Sequence, residues 1–159
     1  MAEKKYKIIV VSDSHGNNGD LEKLIPLINS SDYFVFLGDG NRDIERIIDK
    51  ITTQVIRVKG NCDLTYEISD EALFELGDAR FFATHGNKYG VKSSLISLAQ
   101  HAREIGCYYA LYGHTHRAGV SDAGGVTLVN PGALERGGKK SYALIEGDGK
   151  FFSAEIVPI

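Results

Sequence analysis

The apolar run Ile8-Ile9-Val10-Val11 is followed directly by Ser12-Asp13-Ser14-His15-Gly16. A short apolar run bounded by polar and turn-forming residues predicts a buried β-strand that ends near Val11. Asp13 and His15 are two residues apart, and side chains with that spacing on an extended segment point to the same side. The pair is therefore placed to hold one cation. Taken alone, it is also consistent with a helix cap at Asp13 and a surface imidazole at His15.

Two further strands follow, and each is reached through a segment with helical periodicity. The strands are Tyr33-Phe34-Val35-Phe36-Leu37 and Val55-Ile56-Arg57-Val58. Apolar residues recur at helical spacing over 21–28 and again over 44–51, which predicts two helices, the second with Asp43 on its solvent face. Strands that alternate with short helices indicate βαβ connections and a largely parallel sheet.

The rest of the chain has a different rhythm. Residues 73–76 and 80–83 are predicted to pair as a hairpin across a Gly-Asp turn, and a helix is predicted from about Val91 to Ile105. From residue 119 onward, short strand-like runs separated by glycine-rich turns indicate β-structure. The last two runs, 142–145 and 151–157, are predicted to form a hairpin.

Composition limits the classes of function. A chain of 159 residues, 43% of them hydrophobic, can bury one core, so we predict a single domain over residues 1–159. The formal charge of −3 argues against stable nucleic-acid binding, which needs a clustered basic surface. No apolar run is long enough for a signal peptide or a membrane span, which predicts a cytoplasmic protein without a membrane partner. Cys62 and Cys107 are far apart and lack zinc-knuckle spacing, and Cys107 is expected to be buried.

Five apolar runs end in residues that bind metals, nearly all of them beside glycine. These residues are Asp13, His15, Asp39, Asn61, His85, His114 and His116. In α/β sheets, ligands bind beyond the carboxyl ends of the strands, so the seven side chains are expected to converge. Imidazole and carboxylate together suit first-row divalent metals, and a bridging acid holds two ions about 3.5–4 Å apart. Asp39, with glycine on both sides, is the natural bridge of a two-metal site for chemistry at phosphorus.

The five motifs resemble, in their fixed order, those of the calcineurin-like metallophosphoesterase superfamily, specifically its small YfcE-type phosphodiesterase branch. They are Asp13-x-His15, Gly38-Asp39, Gly60-Asn61-x-Asp63, His85-Gly86 and Gly113-His114-x-His116. The resemblance spans the chain from Lys7 to about Ile156. It implies an α/β fold with four layers, α/β/β/α, in which two mixed β-sheets face each other and helices flank them. The β-rich section after His116 is expected to supply the second sheet.

The resemblance also implies a ligand set and catalytic roles. One divalent ion would be held by Asp13, His15, Asp39 and His116, and the other by Asp39, Asn61, His85 and His114. A hydroxide shared by the ions would attack phosphorus in line. Asp39, Asn61 and His114 are the catalytic candidates, and Asp63 is a further candidate that would help to fix imidazole tautomers. Manganese is the first expectation, and iron, nickel, zinc and magnesium stay open.

Cys62 stands where many members of the superfamily have a histidine, to which either stabilisation of the transition state or protonation of the leaving group is attributed. A thiol is a weak donor. We therefore expect hydrolysis of small phosphodiesters, especially activated aryl diesters, over alkyl phosphomonoesters. The alternative is a packed, inert thiol. The segment Asn130-Pro131-Gly132 also resembles a loop of this branch, and it predicts either a strand-ending turn or a substrate contact.

Two other classes of function are considered. The fold resembles that of the retromer subunit, a protein-binding scaffold with an incomplete metal-ligand set. Here every ligand position has a competent residue, which favours an enzyme. A Rossmann nucleotide-binding module is disfavoured because no Gly-x-Gly-x-x-Gly motif follows the first strand. The physiological diester and homo-oligomerisation stay open.

Overall fold

The computed structural model describes residues 5–159. Within them, ten β-strands, four α-helices and two short 3-10 helices alternate. In chain order they are β1 (Tyr6–Val11), α1 (Asn18–Lys23), α2 (Ile25–Asn29), β2 (Tyr33–Phe36), α3 (Asn41–Ile47), a 3-10 helix (Ile48–Lys50), β3 (Gln54–Arg57), β4 (Glu71–Leu76), β5 (Ala79–Thr84), a 3-10 helix (Asn87–Tyr89), α4 (Ile96–Glu104), β6 (Tyr109–Leu111), β7 (Gly119–Ala123), β8 (Val126–Asn130), β9 (Ser141–Gly147) and β10 (Phe152–Pro158).

The strands form two five-stranded sheets, in the orders β10-β9-β1-β2-β3 and β4-β5-β6-β8-β7. In the first sheet β1, β2 and β3 are parallel, as the βαβ pattern predicts, and β9 and β10 add antiparallel strands at one edge. In the second sheet β5, β6 and β8 are parallel, and the edge strands β4 and β7 are antiparallel to their neighbours. Both sheets are therefore mixed.

Strand β1 contributes side chains to two cores because its residues alternate between the faces of the sheet. Ile8 and Val10 pack between the two sheets, against residues such as Phe81 of β5. Ile9 and Val11 point the other way and pack against α1, α2 and α3. On the far side of the molecule, α4 covers the outer face of the second sheet with Leu98, Ala99 and Ala102. The predicted four-layer α/β/β/α sandwich is thus confirmed.

Three predictions about helices are wrong in detail. The helix predicted over 21–28 is two short helices, because Pro26 lacks the N–H that a continuous helix needs. The helix predicted from about Val91 begins only at Ile96, after turns that follow Gly90. Asp43 is buried rather than solvent-facing, because the first turn of α3 packs against the loop after β1.

The assignment of the chain's last third to the second sheet is half wrong. Strands β7 and β8 do belong to that sheet, but β9 and β10 join the first one. Strand β9 pairs antiparallel with β1, with Ile8 opposite Ile145, so the C-terminal hairpin closes the sheet that the N-terminal strand begins. No helix in residues 5–159 is long and apolar enough to cross a membrane.

Candidate metal centre

The loops that follow β1, β2, β3, β5 and β6 come together at the carboxyl ends of these strands, where the backbone has an unusual conformation. Within residues 5–159, every non-glycine residue with a positive φ is one of the predicted ligands: Asp13 at 53°, His15 at 40°, Asp39 at 61°, His114 at 70° and His116 at 62°. A side chain in this region costs of order 1–3 kcal/mol, and such strain clusters at functional sites. The surrounding contacts must therefore hold the loops in place.

Glycines let these loops approach one another closely. A Cβ at Gly60 would lie 2.1 Å from Asp39 Oδ1, and a Cβ at Gly113 would lie 2.1 Å from Ser12 Oγ and 2.9 Å from Asp13 Oδ2. No side chain fits at either distance. The glycines beside the motif residues are thus required by the contact between loops, not only by turn geometry.

Six of the predicted ligands form two groups, and in each group three ligand atoms lie within 4.8 Å of one another. The exposed group consists of Asp13, His15 and His116, and the buried group consists of Asp39, His85 and His114. The donor set of two carboxylates and four imidazoles suits first-row divalent ions. Either group could hold a metal ion.

In the exposed group, Asp13 Oδ1 lies 3.2 Å from His116 Nε2 and 3.6 Å from His15 Nε2. In the buried group, His85 Nε2 lies 3.2 Å from both Asp39 Oδ2 and His114 Nδ1. In each group, one carboxylate oxygen and two ring nitrogens therefore surround a common point.

The two groups adjoin through their carboxylates. His15 Nε2 of the exposed group lies 3.8 Å from Asp39 Oδ2, and His85 Nε2 of the buried group lies 3.9 Å from Asp13 Oδ1. Asp39 Oδ2 thus faces imidazoles of both groups. That is the position that a bridging ligand occupies between two ions.

Each aspartate uses its second oxygen to hold the loops. Asp13 Oδ2 accepts hydrogen bonds from the Ser12 hydroxyl and from the His114 backbone N–H, which is 3.1 Å away. Asp39 Oδ1 accepts one from the Cys62 backbone N–H at 2.8 Å. Because one oxygen is fixed, the other is aimed at the imidazoles with little freedom to rotate.

The electrostatics of the buried group reflect this crowding. Burial acts to raise the pKa of Asp39, but the hydrogen bond with His85 and the Cys62 amide outweigh it and lower that pKa to about 2. Burial likewise acts to lower the pKa of His85, yet contact with Asp39 and the charge of Asp13 raise it above its ordinary value. The pKa of His114 is lowered, first by burial and then by the charges of His85 and Lys92. The acid is thus ionised at neutral pH and ready to bind a cation.

Partners behind the imidazoles fix two ring orientations. His85 Nδ1 lies 2.7 Å from the Leu37 carbonyl oxygen. This contact selects the tautomer in which Nδ1 carries the proton and donates it, so that the lone pair of Nε2 can bind a metal. His116 Nδ1 lies 3.3 Å from Glu135 Oε2, a half-exposed carboxylate in the loop before β9. Carboxylate or carbonyl partners of this kind orient metal-binding histidines and raise their basicity.

Asp63 does not contact an imidazole in the described residues, contrary to the role predicted for it. Its oxygens accept hydrogen bonds from the backbone N–H groups of Asp39, Gly40, Asn41 and Gly60, at 2.8–3.0 Å, and from the Asn41 side chain. Burial acts to raise the pKa of Asp63, but these amide donors outweigh it and lower the pKa. Asp63 therefore fixes the loop that carries Asp39.

Asn61 and Cys62 lie exposed in the turn after β3. The Asn61 amide nitrogen is 3.6 Å from Cys62 Sγ, which leaves Oδ1, the oxygen that a metal would bind, without that contact. Cys62 is exposed, so the alternative of a packed, inert thiol is wrong about the packing. Desolvation and the charge of Asp39 raise its pKa, which keeps it a neutral thiol at neutral pH.

Sequence reasoning missed several residues that support the site. Asp43 Oδ2 accepts hydrogen bonds from Ser14 Oγ at 2.6 Å and from the Gly16 N–H at 2.8 Å, which holds the loop after β1. The Asn130 amide donates to the Gly113 carbonyl and to Thr115 Oγ1, which holds the loop after β6. In Asn130-Pro131-Gly132 the asparagine therefore braces a neighbouring loop. The position of Asp43 in the first turn of α3 is the one feature of the sequence that could have indicated its contact with the loop after β1. No local pattern indicates the contact of Glu135 with His116.

Comparisons with known proteins agree with this geometry. The chain is 28% identical over 127 residues to the probable metallophosphoesterase YsnB of Bacillus subtilis, covering 80% of this chain and 74% of that protein. It is 28% identical over 171 residues to the phosphodiesterase YfcE of Escherichia coli, covering 89% and 88% of the two chains.

Solved structures share the fold. A predicted phosphoesterase from Streptococcus pneumoniae TIGR4 superposes with a TM-score of 0.81 at 27% identity, covering 99% of this chain and 91% of that one. Vps29 from Entamoeba histolytica, in complex with Zn²⁺, gives a TM-score of 0.77 at 18% identity, covering 96% and 98%. The family model of the calcineurin-like phosphoesterase superfamily domain matches residues 6–150. The chain therefore belongs to the calcineurin-like phosphoesterase superfamily.

Proposed function

We propose that the protein is a phosphodiesterase that works with two divalent ions, one in the exposed group and one in the buried group. The observation that carries this proposal is the position of Asp39 Oδ2, 3.2 Å from His85 Nε2 of one group and 3.8 Å from His15 Nε2 of the other. A single ion would need only one of the groups. The phosphodiesterase YfcE among the relatives supports the choice of reaction.

The candidate residues have different roles in this proposal. Asp13, His15 and His116 would hold the first ion, His85, His114 and the amide oxygen of Asn61 would hold the second, and Asp39 would bind both. When bound, the two ions would supply an activated hydroxide for in-line attack and would stabilise the negative charge that develops on the phosphoryl oxygens. Asp63 acts as a positioning residue, because its four backbone hydrogen bonds set the loop of Asp39.

The chemistry of Cys62 limits which leaving groups the substrate can have. The thiol is exposed beside the site and stays neutral, and a thiol is a weak proton donor. Leaving groups that need little protonation, such as aryl oxides, are therefore favoured. The expected substrates are small phosphodiesters, with activated aryl diesters cleaved faster than alkyl phosphomonoesters.

The test compares hydrolysis of bis-p-nitrophenyl phosphate and p-nitrophenyl phosphate by metal-stripped protein, with Mn²⁺, Fe²⁺, Ni²⁺, Zn²⁺ and Mg²⁺ added back separately. We expect turnover of the diester only with metal, highest with Mn²⁺, and much less turnover of the monoester. Metal binding without turnover of either compound for any ion would contradict the proposal.

One feature favours a second candidate, a metal-binding scaffold for protein interactions. Leu64 and Tyr66, close to Cys62 in the chain, are fully exposed, and the Vps29 structures show that this fold is not confined to proteins named as phosphoesterases. If no ion restores turnover, this candidate takes precedence. The expected cytoplasmic location and the single domain over residues 1–159 stay predictions.

A further inference from the structure

A cleft of about 460 Å³ lies next to the candidate metal centre, on the side of the second sheet. It is lined by Val91, Lys92, Leu95, Tyr112, Thr115 and Arg117. None of these residues belongs to the cleft that Cys62 lines with Arg42 and Glu45. The candidate metal centre therefore has two neighbouring clefts with different linings.

The second cleft shares its wall with the ligand loop after β6. Thr115 lies between His114 and His116 in the chain, and its hydroxyl is held by the Asn130 amide at 2.9 Å. Arg117 follows His116 directly, and its backbone N–H donates to Thr115 Oγ1 at 3.1 Å. Lys92 lines the same cleft as Thr115 and Arg117. The cleft therefore borders the loop that carries His114 and His116, and a substrate bound at the ions would extend into it.

The charges in this cleft are not balanced. Lys92 and Arg117 are exposed, and within residues 5–159 neither side chain makes an ion pair or a hydrogen bond. No carboxylate from the described part of the chain lines the cleft, whereas the cleft beside Cys62 contains both Arg42 and Glu45. The free oxygens of Asp13 and Asp39 face the imidazoles instead. Two cations that line one cleft without an acidic partner there would suit an anionic ligand.

We propose that Lys92 and Arg117 bind a second phosphate group of the substrate, so that the favoured substrate is a phosphodiester carrying a further phosphate beside the ester that is cleaved. This inference rests on the proposed phosphodiesterase activity. Arginine and lysine both form charge-assisted hydrogen bonds with phosphate oxygens. Val91 and Leu95 give the cleft an apolar wall for the organic part that links the two phosphates.

The experiment uses two aryl diesters that differ by one phosphate: thymidine 5′-(p-nitrophenyl phosphate) with and without a 3′-phosphate. Release of p-nitrophenol reports cleavage of the diester and is not changed by loss of the 3′-phosphate. We expect kcat/KM for this release to be about tenfold higher for the phosphorylated compound, since each of the two exposed cations contributes a factor of roughly three.

The same ratio is then measured for Lys92→Ala, Arg117→Ala and the double variant. Both side chains are exposed, so neither change disturbs the core. We expect the ratio to fall in each single variant and to approach one in the double variant. Lys150→Ala is the matched control, because it removes the same charge from the exposed turn between β9 and β10 and should keep the ratio of the unchanged protein.

The outcomes separate this inference from the proposed function. Hydrolysis of bis-p-nitrophenyl phosphate together with equal cleavage of the two thymidine diesters would overturn the inference and leave the phosphodiesterase intact. A preference that survives in the double variant would also overturn it. If no diester is cleaved, calorimetric binding to metal-free protein decides: tighter binding of the 3′-phosphorylated diester, lost in the double variant, supports the cleft, and equal affinities contradict it.

Discussion

The two ligand groups contain the same residue types, but they are held in different ways. In the buried group, His85 is 1% exposed and is fixed by the Leu37 backbone carbonyl. In the exposed group, the His15 and His116 side chains are 25% and 39% exposed, and His116 is oriented by the half-exposed side chain of Glu135. Backbone partners do not move independently of the sheet, whereas exposed side chains do. We therefore expect the buried group to bind its ion more tightly and to exchange it more slowly.

The largest difference should come from removing one imidazole from each group. His85→Gln should weaken binding at the buried group by at least about 100-fold and abolish turnover, because a buried ligand is lost. His15→Gln should leave the buried group loaded and reduce the bound metal to one ion per chain. Elemental analysis after equilibrium dialysis over a range of free metal concentrations counts the ions and gives their affinity, and circular dichroism verifies that each variant is folded. The ion that remains in His15→Gln should be held more tightly than the ion that remains in His85→Gln, because it lies in the buried group, and equal affinities would contradict this difference.

A change in the loop of Asp39 should have an intermediate effect. In Asp63→Asn, the NH2 group replaces one of the two oxygens that accept hydrogen bonds from backbone N–H groups, so donors would face a donor. We therefore expect a loss of about 2–4 kcal/mol in the free energy of unfolding of the metal-free protein at pH 7. Urea titration measures it. Asp78→Asn, in the exposed turn between β4 and β5, is the control and should change stability by less than about 0.5 kcal/mol.

The same pair of proteins gives a pH test. The pKa of Asp63 is lower in the folded chain than in the unfolded one, so its contribution is fully present above the unfolded pKa, about 3.9, and is lost as the pH falls through the folded pKa. The difference in stability between the unchanged protein and Asp63→Asn should therefore shrink as the pH is lowered below about 4. A difference that stays constant down to pH 2 would show that the carboxylate charge has no part in it.

The smallest effect should come from the exposed partner of His116. Glu135→Gln removes the charge behind His116 Nδ1 while keeping a hydrogen-bonding oxygen, so we expect metal affinity at the exposed group to fall by up to about tenfold. Affinity at the buried group should not change, because Glu135 has no contact with it. Titration with Mn²⁺, followed by its electron paramagnetic resonance signal, resolves the two affinities. Equal weakening at both groups would mean that they act as one unit.

Much of the fold could be predicted because local apolar patterns carry it. The run from Ile8 to Val11 is buried on both faces, and such a run marks a central strand. The pairing of β9 with β1 could not be predicted, since it joins segments more than 130 residues apart and no local pattern chooses between the two sheets. The late start of α4 could not be predicted either, because the apolar residues before Ile96 lie in turns although their spacing is helical.

The site divides in the same way. Candidate ligands at strand ends could be located because the ends of strands can be recognised in the sequence, and the structure brings Asp13, Asp39 and four histidines together at one edge. The residues that hold these side chains in place could not be predicted where their hydrogen bonds and ion pairs form only in the folded chain. Asp43 lies 29 residues from Ser14, and Glu135 belongs to a loop with no periodic pattern. The role of Asp63 was misjudged because its spacing from Asn61 says nothing about the amides of the neighbouring loop.

The bridging position of Asp39 is tested by the number of ions bound per chain, measured together with turnover, in the unchanged protein and in Asp39→Asn. We expect two Mn²⁺ ions per chain in the unchanged protein. In the variant, at least one ion should be lost and diester turnover should fall about 1000-fold or more, with the fold retained. A single ion in the active unchanged protein, or two ions and full turnover in the variant, would contradict a centre bridged by Asp39.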